Sequence, residues 1–526
     1  MIHFDIAGAR KTSSAISMGQ RSGVPVFYPI LLTIFPVLSV YSEVVKDVQA
    51  EIMIAPTIVL EAGTVVLWAC LWAVLRDLRR GAFIVGVVLL WIFAYTPVWR
   101  VIPHHDLLEN TQGAKALFFF AWTALAGVLI WRFHNHAGLS GSITAGLNVF
   151  SVFLILMPVF TVARSVLPYS TDVRIPAVRA GDPHSAVRPP DIYYIILDEG
   201  ARHDVLVNLY GYDDTWFLDS LSTLGFRVCA SSRSNYGQTM MSLGSSLNLS
   251  FIDDLVGERH RVAQDERPLR ALFERNAVFH FLHQQGYWIG AVSSGYTETA
   301  DPPVDEYISP FLATNEFDQK LWQNTTLARI LIRIYPRWEQ ALHRKRILFG
   351  FDNLSSFASP RTPFLFFAHI VAPHAPFVFG KDGEMVAAVG ECSFDFLVTD
   401  TASREKYVRE FRSQMEYTEK LTLAAVRQIL QRSSFPPIII IQGDHGPASH
   451  LDWDHPDKIG LEERLSILNA LYLPAADSVA IPDSLTPVNT FRIIFNKYFG
   501  AGLPLLPNRS LYSKYGEPYT YTGRIE

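Results

Sequence analysis

The sequence is poor in charged residues and has no excess of positive charge. Charged residues make up 18% of its 526 positions, whereas a soluble domain of average composition has about 25%. The 45 Lys and Arg residues are outnumbered by 50 Asp and Glu residues. A nucleic-acid binder needs a basic excess to neutralise phosphates, so we expect no DNA or RNA partner.

Cysteine is also scarce. The three cysteines, Cys70, Cys229 and Cys392, lack the paired spacing of zinc ribbons, redox motifs and disulfide frameworks. The sequence therefore predicts at most one disulfide, between Cys229 and Cys392.

Long apolar runs are confined to the first third of the chain. A helix needs about 20 apolar residues to cross a hydrocarbon core of about 30 Å. Five runs approach or reach that length, at 25–40, 53–75, 82–99, 116–131 and 143–166. The sequence therefore predicts an α-helical membrane domain with five transmembrane helices over residues 1–168.

Basic residues flank these runs on alternate sides. Cytoplasmic segments of membrane proteins are enriched in Lys and Arg, and here such residues cluster before the first run and after the second and fourth. Five spans then place everything after residue 166 outside the cytoplasm, where ATP is absent. We expect a multi-pass protein of a bacterial inner membrane, with its C-terminal domain on the periplasmic or extracellular side.

The remainder of the chain has the pattern of a linker followed by one α/β domain. Residues 169–190 contain four prolines, one glycine and few apolar residues, which is typical of an extended spacer. Over 191–526, short apolar runs alternate with helical patterns such as 404–431. The predicted strands are 192–197, 287–292, 363–370 and 437–441. This alternation predicts a mostly parallel sheet covered by helices.

Side chains suited to metal binding follow these predicted strands. Ligands of open α/β sheets bind beyond the carboxyl ends of the strands. Asp198 follows the first strand, His374 comes shortly after the third, and Asp444 and His445 come shortly after the fourth. Two carboxylates and an imidazole suit Mn²⁺, Mg²⁺ or Zn²⁺. The sequence predicts one divalent cation, with Mn²⁺ preferred, held by Asp198, Asp444 and His445.

Thr239 is the candidate nucleophile and a further metal ligand. It lies at a predicted junction between a loop and a helix. Metal coordination can activate a hydroxyl that is a weak nucleophile by itself, and amides at a helix N-terminus favour an anionic group. The alternative is that Thr239 only caps the helix.

Taken in order, these residues resemble the alkaline-phosphatase superfamily. The nearest resemblance is to its membrane-anchored, sulfatase-like transferases, typified by lipoteichoic acid synthase and the phosphoethanolamine transferases. It covers residues 190–475, and the five preceding spans match that architecture. The resemblance implies a sulfatase-like α/β fold. It also implies roles for five residues: Asp198 is an acidic ligand, Thr239 forms a phospho-intermediate, Asp444 and His445 are the Asp-His pair, and His374 is the substrate-side histidine.

Sulfate-ester hydrolysis is disfavoured. Sulfatases of this fold require Cys or Ser in a C/S-x-P-x-R context, whereas Cys229 is followed by Ala-Ser-Ser-Arg and Cys392 by Ser-Phe-Asp-Phe. Phosphoryl chemistry through Thr239 is the better interpretation.

Other polar residues near these positions each have two possible roles. Arg202 and His203 either contact a phosphate or solvate the start of a helix, and we assign Arg202, with His374, to substrate binding. Glu199 either joins the metal or supports its ligands. A second metal or a solvated loop would explain a polar segment that contains His450, Asp452, Asp454 and His455.

The expected function is metal-dependent transfer of a phospho-alcohol headgroup through a phosphothreonine at Thr239. The donor is a membrane phospholipid in the lipid bilayer, and the acceptor is an envelope glycan, glycolipid or polymer. Two alternatives remain open. The domain could be a phosphodiesterase or phosphatase that uses water as the acceptor, or a non-catalytic module that binds envelope components.

Overall fold

The computed structural model describes most of the chain. The described residues are 23–45, 48, 50–101, 112–134, 141–166, 173–181, 189–258, 261, 265–299, 302–310, 315–335, 337–357, 363–386, 398–474 and 480–525. The chain divides into two compact units, one formed by residues 1–36 and 57–157 and the other by residues 37–56 and 158–526.

All five apolar runs form helices. These are α1 (Tyr28–Val44), α2 (Ile54–Leu75), α3 (Leu78–Phe93), α4 (Tyr95–Val101), α5 (Gln112–His134) and α6 (Gly141–Val166). Three helical stretches are long and apolar enough to cross a membrane, at Ala50–Leu75, Gly113–Phe133 and Gly141–Ser165. The first run forms a helix of 17 residues, and the third is divided into α3, of 16 residues, and α4. By length, the described helices therefore include three that can cross a membrane and three shorter ones, α1, α3 and α4.

A buried asparagine satisfies backbone groups at the start of α1. The side-chain oxygen of Asn148 accepts hydrogen bonds from the amides of Phe27 and Tyr28, at 3.3 and 3.1 Å, and its nitrogen donates to the Pro25 carbonyl at 2.7 Å. A hydrocarbon environment offers no water to such groups. Asn148 therefore supplies the partners that the first turn of α1 lacks.

The second unit contains the α/β domain. Its strands are β1 (Ile192–Leu197), β2 (Arg227–Val228), β3 (Trp288–Val292), β4 (Glu306–Ile308), β5 (Phe364–Ile370), β6 (Ile438–Gly443), β7 (Asn469–Tyr472), β8 (Ser510–Ser513) and β9 (Tyr521–Ile525). Its helices are α7 (His203–Tyr210), α8 (Thr215–Thr223), α9 (Thr239–Ser246), α10 (Ile252–Leu255), α11 (Arg267–Glu274), α12 (Ala277–Gln284), α13 (Glu316–Gln323), α14 (Thr326–Ile334), α15 (Trp338–Ser356), α16 (Thr401–Arg432), α17 (Lys458–Leu465) and α18 (Pro487–Phe499).

Seven of these strands form one mostly parallel sheet, which confirms the predicted fold class. The order is β2-β7-β6-β1-β5-β3-β4. Strands β6, β1, β5, β3 and β4 are parallel, while β7 is antiparallel to both β6 and β2. The four predicted strands correspond to β1, β3, β5 and β6. The sequence did not indicate the short strands β2, β4 and β7, or the separate pair β8 and β9.

The central strand β1 is buried on both faces. Ile192, Tyr194 and Ile196 pack in one hydrophobic core, and the alternate residues Tyr193 and Ile195 pack in another. A strand covered on both sides has a continuous apolar sequence rather than an alternating one. This explains why β1 could be recognised directly from its composition.

Two predictions fall partly or wholly outside the described residues. Cys392 lies outside them, so the structure describes only Cys229 of the proposed disulfide pair, and that residue is buried. The predicted linker is described over 173–181. There the amide of Arg174 donates to Leu255 at 2.8 Å and that of Gly181 donates to Phe499 at 3.0 Å. This part of the linker therefore lies along the α/β domain.

Candidate metal centre

Asp198, Asp444 and His445 lie together at the carboxyl edge of the sheet. All three are buried, and one ligating atom from each lies within 4.8 Å of the others. They meet because β1 and β6 are adjacent, parallel and in register, with Leu197 opposite Gly443. We call these three residues and Thr239 the strand-end site.

A glycine permits this close approach. A Cβ atom added to Gly443 would lie 2.3 Å from the carbonyl oxygen of Gly200. A backbone atom at that distance cannot be avoided by a side-chain rotation. Gly443 therefore allows the loop after β1 to lie against the end of β6.

The two carboxylates each leave one oxygen without a hydrogen-bond donor. Oδ1 of Asp444 accepts the amides of Glu199, at 3.2 Å, and His445, at 2.9 Å. Among the described residues, Asp444 Oδ2 and Asp198 Oδ1 are buried and make no hydrogen bond. Buried, unpaired carboxylate oxygens are costly. A divalent cation would satisfy them, so the donor set fits such an ion.

The electrostatics of the pair also favour a cation. Burial, followed by the neighbouring charge of Asp198, raises the pKa of Asp444 to about 7. Burial likewise opposes ionisation of Asp198, yet His374 and His369 hold the pKa of Asp198 below its ordinary value. Two carboxylates this close need a shared proton or a cation.

His445 is oriented as a neutral ligand. Its Nδ1 lies 3.2 Å from the carbonyl oxygen of Gly446, so an N–H there leaves the Nε2 lone pair for a metal. Burial and the adjacent Arg464 hold the pKa of His445 well below its usual value. Nε2 lies 3.3 Å from Asp444 Oδ2 and 3.9 Å from Asp198 Oδ1.

Thr239 directs its hydroxyl into this site. It is the first residue of α9, the N-cap position belongs to Gln238, and Thr239 Oγ1 lies 3.1 Å from His445 Nε2. The hydroxyl is therefore not used as a helix cap. The first amides of a helix have no intrahelical acceptor, so an anion bound beside Thr239 would meet favourable dipoles.

His374 lies beside the strand-end site. Its amide donates to the Asp198 carbonyl at 3.1 Å, and its Nε2 is 3.8 Å from Glu199 Oε1. Burial would lower the pKa of His374, but the carboxylates of Asp198 and Glu199 outweigh this and raise it. His374 is thus suited to carry a proton close to the two carboxylates.

The structure directs Arg202 and Glu199 to other partners. Arg202 forms ion pairs with Asp204, at 2.6 Å, and Glu462, at 3.1 Å. Glu199 accepts hydrogen bonds from Arg464, at 2.9 Å, and from the Tyr407 hydroxyl, at 2.7 Å. Glu199 therefore contacts residues around the strand-end site, which agrees with the interpretation that it supports the ligands. The guanidinium of Arg202 is paired with two carboxylates.

The polar segment at 450–455 is an ordered loop. Asp452 accepts the amides of Asp454 and His455, each at 2.9 Å, and Asp454 pairs with Lys514 at 2.9 Å. His450 Nδ1 lies 2.8 Å from the Ser449 hydroxyl. In the part of the chain that the structure describes, these four residues do not form a group with metal-ligand spacing.

Sequence reasoning missed His369 and Arg464. His369 Nε2 is 3.4 Å from Asp198 Oδ2, and its Nδ1 is 2.8 Å from the Thr299 hydroxyl. A single histidine inside an otherwise apolar strand was the available signal. Arg464 is fully buried at the end of α17, and its Nη2 lies 3.1 Å from His445 Nε2. Basic residues are common at helix C-termini, so nothing local marks this one.

Comparisons with known proteins find similarity only to solved structures. No protein-family model matches the sequence, and no curated protein matches it. The C-terminal periplasmic domain of EptC from Escherichia coli is similar at 12% identity and a TM-score of 0.45, over 67% of this chain and 96% of that one. The integral membrane lipooligosaccharide phosphoethanolamine transferase A from Neisseria meningitidis is similar at 11% identity and a TM-score of 0.39, over 90% of this chain and 94% of that one.

A putative sulfatase from Bacteroides thetaiotaomicron is also similar, at 12% identity and a TM-score of 0.36, over 62% of this chain and 74% of that one. The solved structures similar to this chain thus include phosphoethanolamine transferases and a putative sulfatase.

Proposed function

We propose that this chain is a membrane-anchored, metal-dependent phosphotransferase. It moves a phospho-alcohol headgroup from a membrane phospholipid to an envelope glycan, glycolipid or polymer. The observation that carries the proposal is the position of the Thr239 hydroxyl, 3.1 Å from His445 Nε2, beside two buried carboxylate oxygens that have no described donor. This arrangement combines a nucleophile with a cation site.

Asp198, Asp444, His445 and Thr239 would hold the divalent cation, for which we propose Mn²⁺, with Mg²⁺ or Zn²⁺ as alternatives. When bound, such an ion supplies positive charge that lowers the pKa of a hydroxyl and neutralises phosphate oxygens. His369 and Arg464 lie around these ligands and hold them in place.

The reaction has two displacements at phosphorus. The Thr239 hydroxyl would release its proton to solvent with the cation bound, Oγ1 then attacks the phosphodiester, and the bond from phosphorus to the diacylglycerol oxygen breaks. His374 donates a proton to that leaving oxygen, consistent with its raised pKa. In the second displacement the acceptor hydroxyl gives its proton to His374 and attacks the phosphothreonine, and the bond from phosphorus to Thr239 Oγ1 breaks. Oγ1 takes a proton back from solvent, and Thr239 and His374 thereby return to the protonation states in which they began.

We test the function by identifying what becomes attached to Thr239. Full-length protein in detergent is incubated with phosphatidylethanolamine or phosphatidylglycerol, without an acceptor, and digested for mass spectrometry. The expected result is a Thr239 peptide heavier by one phospho-alcohol headgroup, and diacylglycerol release that accelerates when an acceptor is supplied. Rapid release without any acceptor would identify a hydrolase. No adduct and no release would favour a binding module.

We also propose an inner-membrane location with the α/β domain outside the cytoplasm. This agrees with the basic residues that flank alternate apolar runs. Reporter fusions after Arg80 and His136 should be cytoplasmic, and fusions after Asp106 and Arg174 should be external. An external signal after Arg80 would contradict the proposed topology.

A further inference from the structure

A second group of acidic and imidazole side chains lies at the start of α7 and in the loop between α7 and α8. His203, Asp213 and Asp214 each offer a ligand atom within 4.8 Å of the others. The side chain of Asp214 also neighbours Glu419, in the middle of α16. We call His203, Asp213, Asp214 and Glu419 the loop cluster. The proposed function uses none of these residues.

The two inner carboxylates of the loop cluster are buried and incompletely paired. Asp214 is 1% exposed and Glu419 is 0% exposed. Among the described residues, Asp214 Oδ2 and Glu419 Oε1 have no hydrogen-bond partner while both carboxyl groups are ionised. The two side chains lie within hydrogen-bonding reach of each other. Each residue has one satisfied oxygen, since Asp214 Oδ1 contacts His203 Nδ1 and Glu419 Oε2 accepts from the Tyr212 hydroxyl.

The way in which helix α8 begins explains why the Asp214 side chain does not cap this helix. Asp214 occupies the N-cap position of α8, where Asp normally accepts amides of the first turn, yet its side chain makes no capping bond. Asp213 accepts the amide of Thr215 instead, at 3.0 Å. The chain thus uses the first aspartate to start the helix and turns the second one inward.

Positive charge is missing from the inner side of the loop cluster. Among the described residues, no lysine or arginine forms an ion pair with Asp214 or Glu419, and the ion-pair partner of Asp214 is His203. Burial, followed by the charge of Asp214, raises the pKa of Glu419 well above its usual value. Like the strand-end site, this pair requires either a shared proton or a cation.

The exposure of the group is asymmetric, which gives an ion a route of entry. The His203 side chain is 40% exposed while that of Asp214 is 1% exposed, and Asp213 is also exposed. One imidazole with several carboxylates is a ligand set typical of zinc and related transition metals.

We propose that the loop cluster binds a divalent transition-metal cation, through His203, Asp213 and Asp214, with the Glu419 carboxyl beside Asp214. The ion would join the start of α7 to the loop before α8 and would act as a structural clamp. This site is separate from the strand-end site, and it does not depend on the proposed transferase activity.

The test is zinc binding by the full-length chain in detergent. Every protein carries Asp444→Asn, which weakens the strand-end site, and is titrated with Zn²⁺ by calorimetry. His203→Gln is the main variant because its exposed side chain can be replaced without disturbing the core. Asp219→Asn, an exposed acid on α8, is the matched control.

We expect His203→Gln to weaken zinc binding by about tenfold or more, as loss of a ligand-shell group commonly does, while Asp219→Asn leaves it unchanged. The double variant Asp214→Asn/Glu419→Gln should lose the zinc ion. Equal zinc binding in all four proteins would overturn the proposal, since the carboxyl pair would then simply share a proton.

A second measurement uses the wild-type chain and needs no variant. In the wild-type chain, Zn²⁺ should protect His203 from acylation by diethyl pyrocarbonate, as judged by mass spectrometry of the His203 peptide. Acylation that proceeds at the same rate with and without Zn²⁺ would also overturn the proposal.

Discussion

The strand-end site and the loop cluster contain similar chemical groups but differ in how the fold supports them. Both combine carboxylates with one imidazole, and both leave buried carboxylate oxygens without a described donor. The strand-end site is held by two adjacent parallel strands and faces the Thr239 hydroxyl at a helix N-terminus. The loop cluster is held by α7, the loop that follows it and α16. Ligand composition alone therefore does not distinguish the two sites, whereas the Thr239 hydroxyl does, and the proposed catalytic role depends on that hydroxyl.

Removing the nucleophile should have the largest effect. Thr239→Ala should preserve the fold and the metal but reduce turnover by about 10⁴-fold or more, as loss of a covalent nucleophile does elsewhere. Thr239→Ser should retain part of the activity because it keeps the hydroxyl. Headgroup transfer from labelled lipid measures both variants. Thr223→Ala, an exposed threonine of α8, is the control, and substantial activity in Thr239→Ala would refute the mechanism.

Removing a ligand charge should have the next largest effect. Asp444→Asn takes away the charge of a buried carboxylate while keeping its shape, so metal affinity should fall by about 10- to 100-fold or more, and activity should fall with it. Metal analysis after dialysis and transfer assays at increasing Mn²⁺ measure the two effects. Asp219→Asn is the matched control. Unchanged metal content in Asp444→Asn would remove this residue from the ligand set.

A substitution at Arg464 tests whether the residues that position the strand-end site affect activity as strongly as the proposed ligands do. Its Nε donates to Gly237 at 2.8 Å, and its Nη1 donates to Glu199 and Gly446, both at 2.9 Å. Lysine cannot bridge all three partners. Arg464→Lys should therefore lower kcat by about 10- to 100-fold through misplacement of Thr239 and His445, with KM little changed. A change in KM alone would indicate a substrate contact instead.

The smallest expected effect is on stability at the loop cluster. The pKa of Glu419 is raised in the folded state by burial and by Asp214, with Glu416 adding and the Tyr212 hydroxyl opposing the shift. His203 is paired with Asp214. A raised folded pKa means that the stabilisation is present below the unfolded value of about 4.3 and is lost as pH rises through the folded value.

Without metal at pH 8, Glu419→Gln should therefore be more stable than the wild type by about 1–2 kcal/mol, and the difference should shrink at pH 5. Thermal unfolding in a chelating buffer measures it. Adding Zn²⁺ should reverse the order if the loop cluster binds the ion. A variant that is less stable at both pH values would contradict this account.

The strands that carry the strand-end site could be predicted to within one or two residues. They are buried on both faces, so their sequences are continuous apolar runs bounded by polar residues. The short antiparallel strand β7 and the two-residue edge strand β2 lack that signal. The positions of Asp198, Asp444 and His445 could likewise be predicted, because the carboxyl ends of parallel strands share one edge. Thr239 was predicted from its place at a junction between a loop and a helix.

The supporting contacts could not be predicted in this way. Arg464 pairs with Glu199 across 265 positions of sequence, and His369 contacts Asp198 from a neighbouring strand. Such partners depend on the register of the sheet rather than on any local pattern. The sequence also does not show which of Asp213 and Asp214 caps α8, since either residue could do so.

The hydrogen bond from the Glu199 amide to Asp444 Oδ1 joins residues 245 positions apart, and this bears on the order of folding. Closing so long a segment costs conformational entropy that only later contacts repay. We therefore expect Asp198, Asp444 and His445 to come together late in folding, after the strands that carry them have paired. An ion at 100 times its Kd would add about 2.7 kcal/mol to the completed fold and nothing to a chain whose sheet is still open, so metal occupancy would report that the sheet has closed.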